Sequence, residues 1–229
     1  MVAHEHHFAR QPITDRAGRL LGFELLYRAD CGARAAGDVD GVFATRSVLQ
    51  ALDTYGLDMF DGVPVFVNLP RELVVDPALL AFDPRRVAFE VLEGVTADEA
   101  VLAALDVLRS AGFTVALDDF TADPERMPLV DHADIVKLDM LTMSSRRSRS
   151  LVRDLHARGV LALAEKVETI AEVEHCRQVG FDLFQGYAIG RPVMVALPLT
   201  PAEEQAVAEI NLRRSRVPAF RAAPEPATS

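Results

Sequence analysis

The stretch RVAFEVLEGVTADEAVLAALDVLRSAGFTVALDDF, residues 86–120, decides the fold. Apolar runs at its two ends, 86–92 and 113–117, predict two buried strands. Between them the spacing of apolar residues predicts a helix over 97–110, with Thr96 as its cap. A strand, a helix and a strand joined by short connections form the unit from which parallel sheets are built.

The same alternation continues on both sides of this stretch. Further strands are predicted at 63–68, 134–138, 160–164 and 183–185, and further helices at 42–55, 145–158 and 169–179. The beginning of the chain differs, because 8–13 and 20–28 suggest an antiparallel pair around a turn. Almost wholly apolar strands are typical of a parallel sheet covered on both faces. No glycine-rich phosphate loop follows the first strand, so the pattern predicts an α/β fold with a closed barrel rather than an open sheet.

Polar side chains stand where these apolar runs end. They are Glu24, Asn68, Glu90, Asp118, Asp119, Lys137, Asp139 and Glu165. Burying a carboxylate without a partner is costly, so acids at the tips of several strands need a shared cause. Oxygen ligands around Mg²⁺ or Mn²⁺ are one such cause, and two ions would clamp both reacting oxygens of a phosphodiester. Taken singly, each acid could instead be a helix cap or a salt-bridge partner.

The composition argues against several classes of partner. The chain has 229 residues and a formal net charge of −10, which argues against binding to DNA or to an anionic membrane surface. No apolar run approaches the roughly 18 residues of a membrane span, and the N-terminus lacks the apolar region of a signal peptide, so we expect a cytoplasmic protein. Cys31 and Cys176 fit no CxxC pattern and are expected to be reduced thiols.

Eight short motifs, in order, resemble the EAL-type cyclic di-GMP phosphodiesterases. They are ARQPI, ELLYR, VFVNLP, FEVLE, ALDDF, VKLD, AEKVET and QGYAIGRP, and the resemblance runs from about Phe8 to Val193. The triplet that names the family is present as Glu24-Leu25-Leu26, with leucine in place of the central alanine. The resemblance implies a modified TIM-like (β/α)8 barrel in which one early strand is antiparallel.

The resemblance also implies which residues would hold metal. Glu24, Asn68, Glu90 and Asp118 resemble the metal ligands of the family, and Asp119 resembles a ligand of a second metal. The implied cofactor is Mg²⁺ or Mn²⁺, as two ions.

Catalytic and substrate-binding roles follow from the same resemblance. Lys137 resembles the residue that positions the catalytic water, and Glu165 resembles the essential acid that acts as general base or partner of the second metal. Gln11, Arg28 and Gln185 resemble substrate contacts, and a guanidinium such as that of Arg28 suits a phosphate.

Two features depart from the family. Its double aspartate is followed by Phe-Gly-Thr-Gly, whereas here Phe120 is followed by Thr121-Ala122-Asp123-Pro124, and the loss of both glycines changes the backbone angles available. Glu93 resembles the glutamate that holds this loop. Lys137 and Glu165 are 28 positions apart, which is shorter than the family norm.

These departures, with ELL and AEKVE, resemble the EAL part of EAL–HDOD proteins, some of which are thought to be inactive. Three functions therefore stay open: hydrolysis of cyclic di-GMP to the linear dinucleotide pGpG, binding of cyclic di-GMP without efficient turnover, and a protein-interaction module. A homodimer is compatible with the resemblance. The barrel domain is expected over 1–198, a C-terminal helix over 199–214, and a disordered tail over 215–229.

Overall fold

Strands and helices alternate along the residues that the computed structural model describes, 5–28 and 40–198. The strands are β1 (Glu5–Asp15), β2 (Leu20–Arg28), β3 (Val65–Leu69), β4 (Val87–Val91), β5 (Thr114–Leu117), β6 (Ile135–Asp139), β7 (Leu161–Glu165), β8 (Leu183–Phe184) and β9 (Val193–Pro198). The α-helices are α1 (Gly41–Tyr55), α2 (Arg71–Val74), α3 (Glu99–Ser110), α4 (Ser145–Ala157) and α5 (Ile170–Val179). Short 3-10 helices span Asp58–Phe60, Pro77–Ala81 and Met127–His132. The predicted alternation is confirmed, and β9 is a strand that the sequence did not predict.

The strands β1 to β8 close into a barrel. β2 to β8 run parallel, and each pairs with the next along the chain. β1 is antiparallel to both β2 and β8 and completes the ring, with Gln11 opposite Glu24 and Thr14 opposite Phe184. This arrangement confirms the predicted TIM-like barrel with one antiparallel early strand.

The helices pack on the strands through apolar stripes. α3 buries Val101, Leu105 and Leu108, which lie on one face at the spacing expected of an amphipathic helix. Its cap is Asp98, whose carboxylate accepts a hydrogen bond from the Val101 amide at 3.0 Å. The prediction of Thr96 as the cap was wrong by two residues. β4 is buried at every position, as expected for a strand between a barrel interior and a helical layer.

Residues 7–196 form one compact unit. The helix predicted over 199–214, the tail predicted over 215–229 and Cys31 lie outside the described residues. Cys176 is a buried free thiol, and burial raises its pKa to about 11. Among the described helices, none combines the length and apolar character needed to cross a bilayer.

Candidate functional site

A ring of polar side chains lies at one end of the barrel, with one member in or directly after each barrel strand. The ring consists of Gln11, Glu24, Asn68, Glu90, Asp118, Lys137, Glu165 and Gln185. Next to it lies a buried apolar layer of Ile13, Phe66, Ala88, Ala116, Ile135, Leu163 and Leu183. Each residue of this layer is two positions from a member of the ring. Because side chains alternate along a strand, residues two apart share a face, so both layers face the barrel interior.

Lys137 lies at the centre of the ring. Its side chain is 1% exposed. Its Nζ atom contacts Asp118 Oδ1 at 2.8 Å, Glu90 Oε2 at 2.9 Å, Glu165 Oε1 at 3.0 Å and Glu24 Oε2 at 3.4 Å. With all of these acids ionised, a single ammonium faces four negative charges, of which those of Glu24, Glu90 and Glu165 are buried. Such an excess must be relieved by protons or by a further cation, since unpaired buried charge is costly.

The ionisation of the ring reflects this excess. Burial, with nearby Glu24 and Asp118, raises the pKa of Glu90 well above its ordinary value, although Lys137 opposes the shift. Burial likewise raises the pKa of Glu165 to about 8 against the pull of Lys137. Burial disfavours the Lys137 ammonium, but the surrounding carboxylates outweigh it and raise the pKa of that lysine well above its ordinary value. Burial thus shifts both Glu90 and Glu165 towards the neutral form, while the lysine between them is held in its charged form.

Amide side chains tie Glu24 into the ring. Asn68 donates from Nδ2 to Glu24 Oε1 at 3.4 Å, and Gln185 donates from Nε2 to Glu24 Oε2 at 2.5 Å. Gln185 Nε2 also lies 3.4 Å from Gln11 Oε1. The Gln185 backbone is held by hydrogen bonds to Ala164 and Val167, and at the next residue, Gly186, a Cβ atom would lie 2.2 Å from the carbonyl oxygen of Val167. The glycine of the QGY motif is thus required by a close approach of two backbones.

The donor set of the ring fits a hard divalent cation. Among the described residues, no group of three or more His, Cys, Asp or Glu side chains is placed as a metal-ligand set, and the acids converge on Lys137 instead. Buried oxygens without a hydrogen-bond donor are nevertheless present, namely Asn68 Oδ1, Glu90 Oε1, Glu165 Oε2 and Gln185 Oε1. Carboxylate and amide oxygens are the ligands that Mg²⁺ and Mn²⁺ prefer. The ring therefore has unused acceptor capacity of the right chemistry for such an ion.

A second lysine occupies the rim beside the ring. Lys166 Nζ lies 3.0 Å from Asp119 Oδ1 and 2.6 Å from Asp139 Oδ2. Burial opposes the charged form of Lys166, but hydrogen bonds to Asp139 and Asp119 outweigh it and raise the pKa of this lysine. Sequence reasoning assigned no role to Lys166, because a lysine after a strand is usually a solvated surface residue.

The double aspartate reaches both lysines because the chain turns between its two members. The amide of Asp118 donates to the carbonyl of Val91 at 2.9 Å, and the amide of Phe120 donates to the carbonyl of Lys137 at 3.0 Å. Between these two anchors Asp119 has a φ of 40°, a left-handed conformation that is uncommon outside glycine. Asp118 consequently contacts Lys137, while Asp119 contacts Lys166.

Arg126 supports the tips of β4 and β5, and no sequence pattern indicates this role. Its side chain is buried, and it donates from Nη1 to the carbonyl of Asp118 at 3.1 Å and from Nη2 to the carbonyl of Leu92 at 3.2 Å. Its guanidinium lies over the Phe120 ring, 5.6 Å from the centroid. Glu93, the residue predicted to support this loop, is exposed. Its only described link to the loop is an electrostatic one to Arg126.

The loop after the double aspartate contains a left-handed residue although it has no glycine. Ala122 has a φ of 59°. The loop is fixed by a hydrogen bond from Arg147 Nη2 to the carbonyl of Thr121 at 2.5 Å and by one from the Arg126 amide to the carbonyl of Asp123 at 3.0 Å. The left-handed conformation of Ala122 carries strain that a glycine at this position would avoid.

A cavity of about 430 Å³ opens above the ring. Its lining includes Gln11, Glu24, Arg28, Asp118, Asp119, Glu165, Lys166, Gln185 and Tyr187. Its volume is within the range of small-molecule sites. Arg28 is buried at its edge, and burial lowers the pKa of this arginine while Glu24 and Tyr187 oppose the shift. All predicted metal-binding and catalytic side chains except Asn68 and the fully enclosed Glu90 and Lys137 thus border one space.

Comparisons with known proteins agree with this architecture. The chain is 32% identical over 195 residues to the uncharacterized protein YuxH of Bacillus subtilis, covering 82% of this chain and 47% of that protein. It is 29% identical over 191 residues to the cyclic di-GMP phosphodiesterase CdgJ of Vibrio cholerae, covering 82% of this chain and 44% of that one. The chain spans about half the length of these curated relatives.

A solved structure and a protein family also match the chain. The manganese and cyclic di-GMP complex of Klebsiella pneumoniae BlrP1 at pH 6 superposes with a TM-score of 0.68 and 26% identity, covering 87% of this chain and 60% of that one. The EAL domain family matches residues 33–192, which is more than half of the sequence. This chain belongs to the EAL domain family.

Proposed function

We propose that this chain hydrolyses cyclic di-GMP to pGpG with the help of a divalent cation, Mg²⁺ or Mn²⁺. The observation that carries the proposal is the ring of oxygen-bearing side chains, with buried oxygens that lack a hydrogen-bond donor, directly beneath a cavity. Two relatives support the choice of substrate, because CdgJ is named a cyclic di-GMP phosphodiesterase and BlrP1 has been solved with this ligand.

The residues that would hold the cation are Glu24, Asn68, Glu90 and Asp118. They come from four consecutive strands, β2 to β5, and their side chains already meet at Lys137 or at each other. When bound, a divalent cation would act as a Lewis acid on a phosphoryl oxygen and make a water molecule more acidic. Asp119 is the residue on which a second ion would depend, and its carboxylate contacts Lys166.

Glu165 and Lys137 have the properties that proton transfer requires. A general base works best when its pKa lies near the working pH, and that of Glu165 is raised to about 8 by burial. Glu165 would accept the proton of the attacking water, and the Lys137 ammonium, 3.0 Å away, would orient that water and stay protonated. Hydrolysis adds the water oxygen to phosphorus and returns a proton to the departing ribose oxygen, so one of the two phosphodiester bonds opens.

Arg28, Gln11 and Gln185 would hold the substrate. Cyclic di-GMP carries two phosphodiester charges, and the buried guanidinium of Arg28 at the cavity edge suits one of them. Gln11 and Gln185 lie against each other on the ring and offer amide groups for hydrogen bonding.

Chromatography of reaction products tests this proposal. The purified chain is incubated with cyclic di-GMP and Mn²⁺ or Mg²⁺, and parallel samples contain a chelator. We expect pGpG to accumulate only where the divalent ion is free. If no product forms under any metal condition while calorimetry detects bound cyclic di-GMP, hydrolysis is ruled out. The second candidate function, a receptor for cyclic di-GMP, would then take its place.

The receptor candidate is favoured by one observation. Lys166 pairs with Asp119 and Asp139, and this pairing competes with any role of Asp119 in binding metal. A chain that holds cyclic di-GMP without hydrolysing it would agree with this. The absence of any thermal shift on adding cyclic di-GMP would favour instead a protein-interaction module.

The motifs ELL and AEKVE support a place in the EAL–HDOD branch, which we propose for this chain. We also propose that it forms a homodimer. Sedimentation velocity at two protein concentrations would show a single species of twice the chain mass if this is correct, and a monomer if it is not.

Binding of the cation should release protons. Because the pKa of Glu165 is raised to about 8 in the metal-free ring, this carboxyl is mostly protonated at about pH 7, and a nearby divalent cation lowers that pKa. The apparent affinity for Mn²⁺ should therefore rise as the pH rises towards 8 and then level off. Calorimetry of Mn²⁺ binding in buffers of different ionisation enthalpy measures the protons released, and a Glu165→Gln variant should release fewer.

The same carboxyl should make metal-free stability depend on pH. A group whose pKa is raised in the folded state, here from 4.5 to about 8, stabilises the fold below its unfolded value and loses that contribution as pH rises through the folded value. The melting temperature of the metal-free protein should fall between about pH 5 and pH 8. An unchanged melting temperature across this range would contradict the assignment of a proton to Glu165.

Removal of Arg126 should loosen the tips of β4 and β5. Arg126→Met keeps an apolar contact with Phe120 but removes the guanidinium donor from the carbonyls of Asp118 and Leu92. The Leu92 carbonyl keeps the Val95 amide as a second donor, whereas the Asp118 carbonyl is left without a described one. Loss of a buried donor costs about 1–3 kcal/mol, so urea denaturation should show destabilisation of this size together with weaker Mn²⁺ binding. The matched variant Arg85→Met removes an exposed ion pair with Asp83 and should change neither quantity appreciably.

A further inference from the structure

Lysine is used in this chain only at the candidate site. Of its 24 lysine and arginine residues, only Lys137 and Lys166 are lysines. Both ammonium groups contact carboxylates of the ring or of its rim. An ammonium is a compact point charge, whereas a guanidinium is a wide planar fork. The chain therefore places its two compact ammonium charges against the acids of the site and uses arginine for its other basic side chains.

Lys166 bridges the tips of two strands from a third. It directly follows β7, and its Nζ atom joins Asp119, just after β5, to Asp139, the last residue of β6. It borders the same cavity as Glu24, Asp118 and Glu165. Its position is that of a cation shared by two carboxylates beside the ring that would hold the metal.

The backbone conformation at Lys166 favours glycine, so the presence of a lysine there needs an explanation. Its φ is 56°, a left-handed conformation that glycine adopts without strain and lysine does not. The following residue is anchored, because the Val167 amide donates to the carbonyl of Gln185 at 3.2 Å. Lys166 thus carries a long side chain at a position whose backbone geometry favours a residue without one. The only described polar contacts of that side chain are with Asp119 and Asp139.

We propose that the Lys166 ammonium takes the place of a second divalent cation, so that the site binds one metal ion rather than two. This inference rests on the metal centre of the proposed function. A divalent ion on Asp119 would lie within a few ångströms of the ammonium, and like charges at that distance repel each other. In two-metal sites the second ion neutralises charge on the phosphodiester. The ammonium supplies a positive charge at the corresponding side of the cavity without a metal.

An ordinary surface ion pair is the alternative. Exposed pairs of lysine and aspartate are common and contribute little to stability. The two interpretations differ in what happens to metal binding when the ammonium is removed, because a mere surface pair would leave the number of bound ions unchanged.

Counting bound Mn²⁺ distinguishes them. Equilibrium dialysis followed by elemental analysis gives the number of ions per chain, and electron paramagnetic resonance reveals spin coupling between two neighbouring Mn²⁺ ions. We expect one ion and no coupling in the unmodified chain. Lys166→Gly removes the ammonium and relieves the left-handed backbone, and Lys166→Gln removes the charge while keeping a long side chain. Both should bind two ions, with a coupled signal, and the charge-retaining Lys166→Arg should bind one.

The outcomes separate this inference from the proposed function. Two ions in the unmodified chain, or a single ion in both uncharged variants, would overturn the role of Lys166 while leaving the metal-dependent function intact. No ion in the unmodified chain would overturn both. Thermal melts followed by circular dichroism confirm that each variant is folded before its ions are counted.

Discussion

Replacement of Glu24 by glutamine is expected to lower the rate of cyclic di-GMP hydrolysis by about 10³-fold, while the chain stays folded. A Lewis-acid cation contributes several kcal/mol to such a reaction, and each 1.36 kcal/mol is a factor of about ten in rate. Glutamine has nearly the volume of glutamate, so packing is preserved. Its amide nitrogen, however, would face donors, because Asn68 Nδ2, Gln185 Nε2 and Lys137 Nζ all approach the Glu24 carboxylate.

Steady-state kinetics with Mn²⁺, together with circular dichroism, measures this effect. The matched control is Glu72→Gln, which makes the same chemical change at an exposed position in α2 and should hydrolyse cyclic di-GMP at the unmodified rate. A Glu24→Gln variant that retains the unmodified rate would rule out a catalytic metal at this ring.

Replacement of Lys137 by methionine should destabilise the metal-free protein by about 3–5 kcal/mol. Removing one partner of a buried ion pair leaves uncompensated charge, and losses of that size are typical. Here one ammonium serves four carboxylates, so the remaining acids must take up protons or repel each other. For a domain of this size the melting temperature should fall by about 10 °C. Mn²⁺ should restore part of the loss, because a divalent cation can neutralise the same acids.

Urea denaturation with and without Mn²⁺ checks both parts of this expectation. Arg85→Met is the control, since it removes an ion pair that is largely exposed and should cost no more than about 1 kcal/mol. Metal-free stability that is unchanged in Lys137→Met, or a loss on which Mn²⁺ has no effect, would contradict a cluster of excess negative charge.

The polar ring could be predicted from the sequence because one simple rule generates it. In a closed barrel the strand tips meet, and a polar residue after an apolar run of even spacing must face inward, as Asn68 does after Phe66 and Glu90 after Ala88. Every member of the ring was identified in this way or through the family motifs. The antiparallel first strand was visible as an apolar pair around a turn.

Features that depend on the relative positions of separate strand tips could not be predicted. Lys166 is adjacent to Glu165 in sequence but contacts Asp119 and Asp139 only because the barrel brings three tips together. Arg126 lies in a loop with two prolines and no periodicity, so nothing in its neighbourhood indicates a buried side chain. The family motifs predicted instead that Glu93 supports the loop after the double aspartate, and the Glu93 side chain is exposed.

Local ambiguity explains the wrong helix cap. Thr96 and Asp98 are both good capping residues, and the spacing of Thr96 to Glu99 fits a capping box. The carbonyl of Thr96 instead accepts a hydrogen bond from the Asp98 amide at 3.0 Å, which extends the turn by two residues. Sequence patterns alone do not decide between two candidate capping residues that lie two positions apart.

The central claim is that side chains from four strands share one divalent cation, and a crystal grown with Mn²⁺ tests it most directly. Anomalous diffraction at the manganese edge locates the ion independently of any assumption about the site. We predict a peak in contact with oxygens of Glu24, Asn68, Glu90 and Asp118, with the Lys137 ammonium beside it. A map from fully occupied crystals with no peak among these four side chains would contradict the account.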